Sequence, residues 1–241
     1  MTERPGDAFP SHMTPVLVAH GTRSAAGVSV VAAIADLVSE RIGRTRVAFV
    51  DVLGPNPSDV LSELDGPAVV VPAFLAAGYH VRKDLPDHVA HSGHPDVTVT
   101  PSLGPDPALA HVLYRRLIQA GWRPGDAVVL AAAGSSDASA CADVGRAAGQ
   151  LADLVGVPVE VGFVTTASPT VPEAVAAARA HGTGRVVIAA YLLAPGLFHT
   201  RLSACGADAV TDPLGADPAI ADLLVSRFVA AATSVSTQTV R

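Results

Sequence analysis

Three residues in the first third of the chain have the types and spacing to act together on a metal ion: His20, Asp51 and His80. His20 closes the apolar run VLVA, Asp51 follows VAFV, and His80 stands a few residues beyond VVVPAFLAA. Two imidazoles and a carboxylate make a first shell suited to a divalent first-row ion such as Fe, Co, Ni or Zn. Asp51 has a second reading as an ordinary turn residue ahead of GPNP. Only 16% of the chain is charged, yet PAFLAAGYHVRKDLP, residues 72–86, gathers Tyr79, His80, Arg82, Lys83 and Asp84 just past a buried run.

The elements that must position these residues follow from hydrophobic periodicity. Short β-branched runs predict strands at 15–19, 46–50, 68–73 and 96–100, with helical patterns at about 25–42, 57–64, 84–92 and 106–120. Ser58, Asp84 and Asp106 stand where N-caps are expected, and Pro107 suits a first turn. Alternating strand and helix imply a parallel sheet covered by helices. Ligands in such sheets bind beyond the carboxyl ends of the strands. His20, Asp51 and His80 all fall on that rim.

The second half repeats the first. VLVAHGTRS (16–24) is echoed by VLAAAGSSD (129–137), FVDVLGPNP (49–57) by FVTTASPTV (163–171), VVVPAFLAAGYHVR by VVIAAYLLAPGLFHTR, and LGPDPALA (103–110) by LGADPAIA (214–221). Strands are expected again near 127–131, 158–163, 185–190 and 208–211. The fold class is therefore α/β: two similar lobes facing each other, each a four-stranded parallel sheet flanked by helices, related by internal duplication. The boundaries expected are a disordered lead-in at 1–13, a first lobe at 14–122 carrying the site, a degenerate second lobe at 123–232 and a tail at 233–241, with the joint near GWRPGD. In the second lobe Ala133 and Thr165 replace His20 and Asp51, and only His199 echoes His80. One active lobe and one shaping lobe is the expectation, with a single chain supplying both walls of the cleft, so a monomer is favoured.

Composition sets the outer limits. The 241 residues are 49% hydrophobic with 4% aromatics, a globular profile built on Ala, Val and Leu. The longest apolar runs fall short of a bilayer span and the N-terminus has no apolar signal core, so no membrane is expected and a cytoplasmic location is. Cys141 and Cys205 form no CxxC pair. A net charge of −6 argues against nucleic acid as a partner. An anionic ligand needs a local basic patch instead. The loop Gly21-Thr22-Arg23-Ser24 at a helix N-terminus offers amides and a guanidinium. Arg82, Lys83 and Arg201 offer charge nearby, though Arg82 and Lys83 read equally as a solvated face. His88, His91 and His94 recur at intervals of three, the first two on one helix face and the third in a turn before Pro95, where an entering metal could bind or nothing need bind at all. GSSD at 134–137 lacks the GxGxxG pattern and the P-loop lysine.

The blocks VAHGTRS, FVDVLGPNP and PAFLAAGYHVRKDLP resemble the class II chelatases of tetrapyrrole biosynthesis, sirohydrochlorin chelatase type, in their long tandem-lobe form. The resemblance spans residues 14 to 230. It implies metal insertion into sirohydrochlorin, with His20 and His80 as catalytic metal ligands and Asp51 standing where many members carry Glu. It implies no prosthetic group: the divalent metal is a substrate, Fe2+ or Co2+, with Ni2+ and Zn2+ as further options. Thr22, Arg23, Ser24, Tyr79, Arg82, Lys83, His199 and Arg201 become the residues expected to hold the carboxylate-rich macrocycle. The Cys-containing motif and His-rich tail of some cobalt-associated members are missing, which favours Fe2+ and siroheme biosynthesis. Cobalt insertion for cobalamin biosynthesis, or a non-catalytic carrier of metal or tetrapyrrole, is the alternative.

Overall fold

Helices cover two separate parallel sheets, and the chain alternates between strand and helix throughout. The structure, a computed structural model, describes residues 9–181 and 184–238. In the first half β1 (Thr14–Ala19), β2 (Arg46–Phe49), β3 (Ala68–Pro72) and β4 (Val97–Val99) form a sheet in the order β2-β1-β3-β4, all parallel. In the second, β5 (Ala127–Ala132), β6 (Val159–Phe163), β7 (Val186–Tyr191) and β8 (Ala209–Val210) repeat it as β6-β5-β7-β8. The central strands β1, β3, β5 and β7 are buried almost end to end, as parallel strands covered on both faces must be.

Helices α1 (Ala25–Ile42) and α5 (Ala138–Val155) follow β1 and β5. Ser24 caps α1 by accepting from the Gly27 amide at 3.3 Å. Val31, Ile34, Ala35, Val38 and Ile42 then form its buried stripe, and each large side chain contributes roughly 1.5–3 kcal/mol. α2 (Pro57–Ser62) is capped by Asn56, whose Oδ1 accepts from the Asp59 amide while the Asp59 carboxylate accepts from the Asn56 amide. Ser58, expected as the cap, lies inside that helix, because Pro57 takes the first helical position and puts the cap at Asn56, two residues upstream of Ser58. α3 spans Leu85–Ser92, α6 Val171–His181 and α7 Leu197–Leu202.

Two further helices change the domain picture. α4 (Pro107–Gln119) packs on α5 and β7, whereas α8 (Pro218–Gln238) packs on α1, β3 and β4. The compact units are therefore not the linear halves expected at 14–122 and 123–232. The first comprises Met1–Phe74, Tyr79–Leu103 and Ala216–Arg241; the second comprises Leu75–Gly78 and Gly104–Gly215. The chain changes unit within LGPDP and again within LGADP, the two echoing segments. Asp106 and Asp217 accept from the Ala108 and Ala219 amides there, each at 3.0 Å, and so start the two exchanged helices.

The termini also differ from expectation. Phe9 and Met13 are buried, and Phe9 meets Phe228 of α8 edge to face with ring centroids 6.1 Å apart, so the end of the supposed lead-in belongs to the first core. Residues 1–8 and 239–241 lie outside the described residues, while 233–238, assigned to a tail, continue α8. By length and composition α8 could cross a membrane: Pro218–Val235 has a mean hydropathy of 1.4. Its apolar face, with Ile220, Ala221, Leu224, Phe228 and Ala232 fully buried, covers the first unit's sheet.

Candidate metal site

β1 ends at Ala19 and delivers His20 onto the carboxyl rim of the first sheet. The neighbouring chain is zipped to it beyond the strands: Val50 N–H donates to Ala19 O and Asp51 N–H to His20 O, both at 3.0 Å. Gly21 then turns away with φ 101°, and a Cβ there would sit 2.0 Å from the Asp51 carbonyl oxygen. Glycine follows the histidine because nothing larger fits between the two strand ends. The second unit keeps this scaffold without the ligands. Gly134 has φ 100° with its would-be Cβ 1.8 Å from Thr165 O, while Ala133 and Thr165 occupy the ligand positions. Val52 and Thr166, at matching places, both adopt left-handed backbone (φ 68° and 66°), a strained state for β-branched residues.

His80 approaches the same rim from the far side. The segment Tyr79–Asp84 is already helical, with a π-helical turn over His80–Asp84 running straight into α3. Such turns are rare and recur at functional sites. This one brings the rings of His20 and His80 together, their centroids 4.5 Å apart and nearly perpendicular at 84°. Phe74 flanks both, at 6.4 Å from His20 and 6.3 Å from His80. His20 is exposed and His80 half-buried.

The hydrogen bonds fix the tautomers. His80 Nδ1 lies 2.5 Å from Asp84 Oδ2, and His20 Nδ1 lies 3.2 Å from Gly21 O. A carboxylate and a carbonyl only accept, so each Nδ1 carries the proton and each Nε2 keeps its lone pair. A metal-ligating histidine is held by this arrangement, its outer nitrogen tied to an oxygen of the protein. Asp84 thus orients a histidine. It does not cap α3 as expected, because helical backbone already precedes it.

Asp51 sits beside the pair but is partly committed. Its Oδ1 accepts from the Val52 amide at 2.7 Å and closes the turn before GPNP. An open pocket of about 450 Å3 is lined by Val50, Asp51, His80, Asp84, Asp87, His88 and His91. Among the described residues no three His, Cys, Asp or Glu side chains are arranged to hold a metal ion together. The preformed element is therefore the His20–His80 pair, and the expected three-residue set is not assembled, since the Asp51 carboxylate is folded back on its own backbone.

The other expected residues have distinct places. Thr22 Oγ1 accepts from the Ser24 amide at 3.1 Å, so Thr22 and Ser24 build the α1 entrance while Arg23 is exposed. Tyr79, 60% exposed, stands edge-on to His80 at 6.2 Å. Arg82 is exposed. Lys83 pairs with Asp87 at 3.1 Å, and hydrogen bonding to that carboxylate, with its charge, raises the ammonium pKa. His199 and Arg201 belong to the second unit, on α7. His199 Nε2 bonds Thr211 O at 2.9 Å, so the nitrogen that would face a ligand holds the loop after β8. GSSD likewise caps a helix: Asp137 Oδ1 accepts from the Ser139 amide at 2.8 Å. Asp84 and Asp87 are pocket residues that strand-end reasoning missed. Their spacing of four and seven residues from His80 on one helix was the available signal.

Comparison with known proteins agrees with this architecture. The family model described as CbiX matches residues 14–120 and again 127–231. The sirohydrochlorin cobaltochelatase of Methanothermobacter thermautotrophicus is 28% identical over 126 residues, covering 42% of this chain and 88% of its own. Among solved structures, the sirohydrochlorin chelatase SirB from Bacillus subtilis subspecies spizizenii in complex with cobalt superposes with a TM-score of 0.75 at 19% identity, covering 94% of this chain and 97% of that one. SirB from Bacillus subtilis with Fe3+ gives 0.76 at 21% identity, covering 94% and 98%.

Proposed function

Because the chain belongs to the CbiX family, matched twice along its length, we propose that it is a sirohydrochlorin chelatase that inserts a divalent metal ion into the macrocycle. The observation that carries the reading is the His20–His80 pair, two imidazoles 4.5 Å apart whose Nε2 lone pairs are both free to ligate. The relatives whose names specify sirohydrochlorin as substrate support the choice of macrocycle.

Metal binds the two neutral imidazoles first, in competition with protons. When the metal passes into the macrocycle, two pyrrole N–H protons must leave. The two imidazoles of His20 and His80, once relieved of the metal, can each accept one of them near neutrality. Asp84 holds the His80 ring in place for that step through the Nδ1 hydrogen bond. Asp51 Oδ2 remains as a further oxygen donor once Oδ1 is used by Val52. Arg23, Arg82 and Lys83 are the candidate partners for the substrate carboxylates.

Fe2+ is the favoured metal and siroheme the favoured product on this reading. Relatives crystallised with cobalt and with Fe3+ keep cobalt insertion as the second reading. The enzyme acts as a monomer in the cytoplasm on this account. The test is the absorbance change of sirohydrochlorin mixed with Fe2+, Co2+ or Ni2+, with and without protein. Acceleration is expected, with Fe2+ outcompeting Co2+ when both are supplied. Stoichiometric binding of metal or macrocycle without acceleration makes the protein a carrier instead.

A further inference from the structure

The pocket beside His80 contains more metal-binding chemistry than the inner pair uses. Along the helical segment from His80 to His91, the residues lining it are His80, Asp84, Asp87, His88 and His91, at intervals of four, three, one and three. They form one stripe that starts at the inner pair and ends at an exposed imidazole, roughly 15 Å away at a helical rise of 1.5 Å per residue.

The outer histidines are held in the same state as the inner ones. His91 Nδ1 lies 2.6 Å from the Asp87 carbonyl oxygen, which only accepts, so Nδ1 carries the proton. His88 Nδ1 lies 3.2 Å from Ser58 Oγ. The single hydroxyl proton of Ser58 is already donated to Asn56 Oδ1 at 2.7 Å, and that oxygen is identified by the Asp59 amide it also accepts. His88 Nδ1 must therefore donate to Ser58. His20, His80, His88 and His91 thus share one tautomer, each with its Nδ1 proton tied to the protein and its Nε2 bare. Histidines serving only as hydrogen-bonding core residues need no such agreement. His94 lacks it: its Nδ1 accepts from the Asp96 amide at 3.2 Å in the following turn.

We propose that His88 and His91 form an outer capture site for a divalent first-row cation, from which the ion passes along Asp84 to the His20–His80 pair. The inference rests on the chelatase reading for its purpose but not for its binding. No three side chains here converge on one point. Each station offers one or two protein ligands with water completing the shell, so binding is weak and exchange is fast, as a transfer route needs. The step is ligand exchange at an unchanged oxidation state; no bond within the protein forms or breaks.

The experiment uses the full chain and Co2+ alone, followed by calorimetry and the visible absorbance of the bound ion. Wild type takes up two equivalents, one tight and one weak. The His88→Ala/His91→Ala double variant loses the weak one, and His20→Ala/His80→Ala loses the tight one. In sirohydrochlorin turnover the outer variants raise the KM for metal by about tenfold, the scale on which supporting groups around a metal act, with the loss falling on KM and not on kcat. His91→Ala alone, at an exposed position, and His88→Gln give the same direction if the double variant folds poorly, and His94→Ala leaves the metal KM unchanged. Unaltered stoichiometry and unaltered metal KM in the outer variants overturn the capture site while leaving the chelatase reading intact. A weak site that vanishes with His88 and His91 in a protein that accelerates nothing sustains the capture site and removes the chelatase reading.

Discussion

Truncating Asp84 tests the orientation of the inner pair. Its carboxylate accepts from His80 Nδ1 at 2.5 Å, with 28% of the Asp84 side chain and 34% of the His80 side chain exposed. A hydrogen bond to a charged group contributes about 1.5–3 kcal/mol, and solvent screening at this exposure favours the lower end. About 1.4 kcal/mol corresponds to tenfold, which is also the lower end of what outer partners of metal ligands contribute. Asp84→Ala should therefore weaken Co2+ binding at the inner pair about tenfold, read by calorimetry, and raise the metal KM in turnover. Asp84→Asn keeps an oxygen acceptor and loses only the charge, so its loss should be smaller. An Asp84→Ala protein that folds normally by circular dichroism and binds Co2+ as tightly as wild type would refute the argument that this carboxylate holds His80.

Other substitutions separate scaffold from chemistry. Gly21→Ala places a Cβ 2.0 Å from the Asp51 carbonyl at φ 101°, and should cost roughly 3 kcal/mol in urea denaturation together with metal binding. Gly134→Ala meets the same obstacle at Thr165 and should lose similar stability, with inner-site Co2+ affinity retained. Asp51→Asn keeps the acceptor for the Val52 amide and should bind Co2+ within about threefold of wild type; Asp51→Ala should lose about 1 kcal/mol of stability as the turn opens. The Asp208 carboxylate accepts from the Val186 amide and from Arg179, and these bonds, the amide first, hold it below the usual carboxylate range. Its contribution is present above about pH 4 and is lost as pH falls through the depressed value. Urea midpoints should therefore fall more steeply below pH 4 in wild type than in Asp208→Asn, and parallel curves would contradict this.

How much of this was legible in the sequence depended on whether the cause was local. The rim positions of His20, Asp51 and His80 follow from parallel strands whose carboxyl ends share an edge, and apolar runs reveal such strands. The exchange of α4 and α8 was not legible, because LGPDPALA and LGADPAIA are nearly the same segment and carry no mark of which sheet each helix will cover. Asp84 before Leu-Pro has the composition of an N-cap; its role became visible only when the π-helical turn carried helical backbone back to Tyr79. Asn56, not Ser58, caps α2 because Pro57 takes the first helical position, two residues ahead of the start that a Ser58 cap implies. His199 echoes His80 in sequence, yet its Nε2 is occupied by Thr211 O, a partner distant in sequence and brought near by β8. Asp51 fits both a ligand and a turn residue by sequence, and the Val52 amide on its Oδ1 commits it in part to the turn.

The central claim is that the His20–His80 pair passes metal to sirohydrochlorin. It is tested most directly by the rate of metal insertion under limiting Fe2+ or Co2+ in wild type, His20→Ala and His80→Ala. Wild type is expected to accelerate insertion over the protein-free reaction, and each single variant to fall to the protein-free rate while still folding. Acceleration that survives the loss of either histidine would contradict the account.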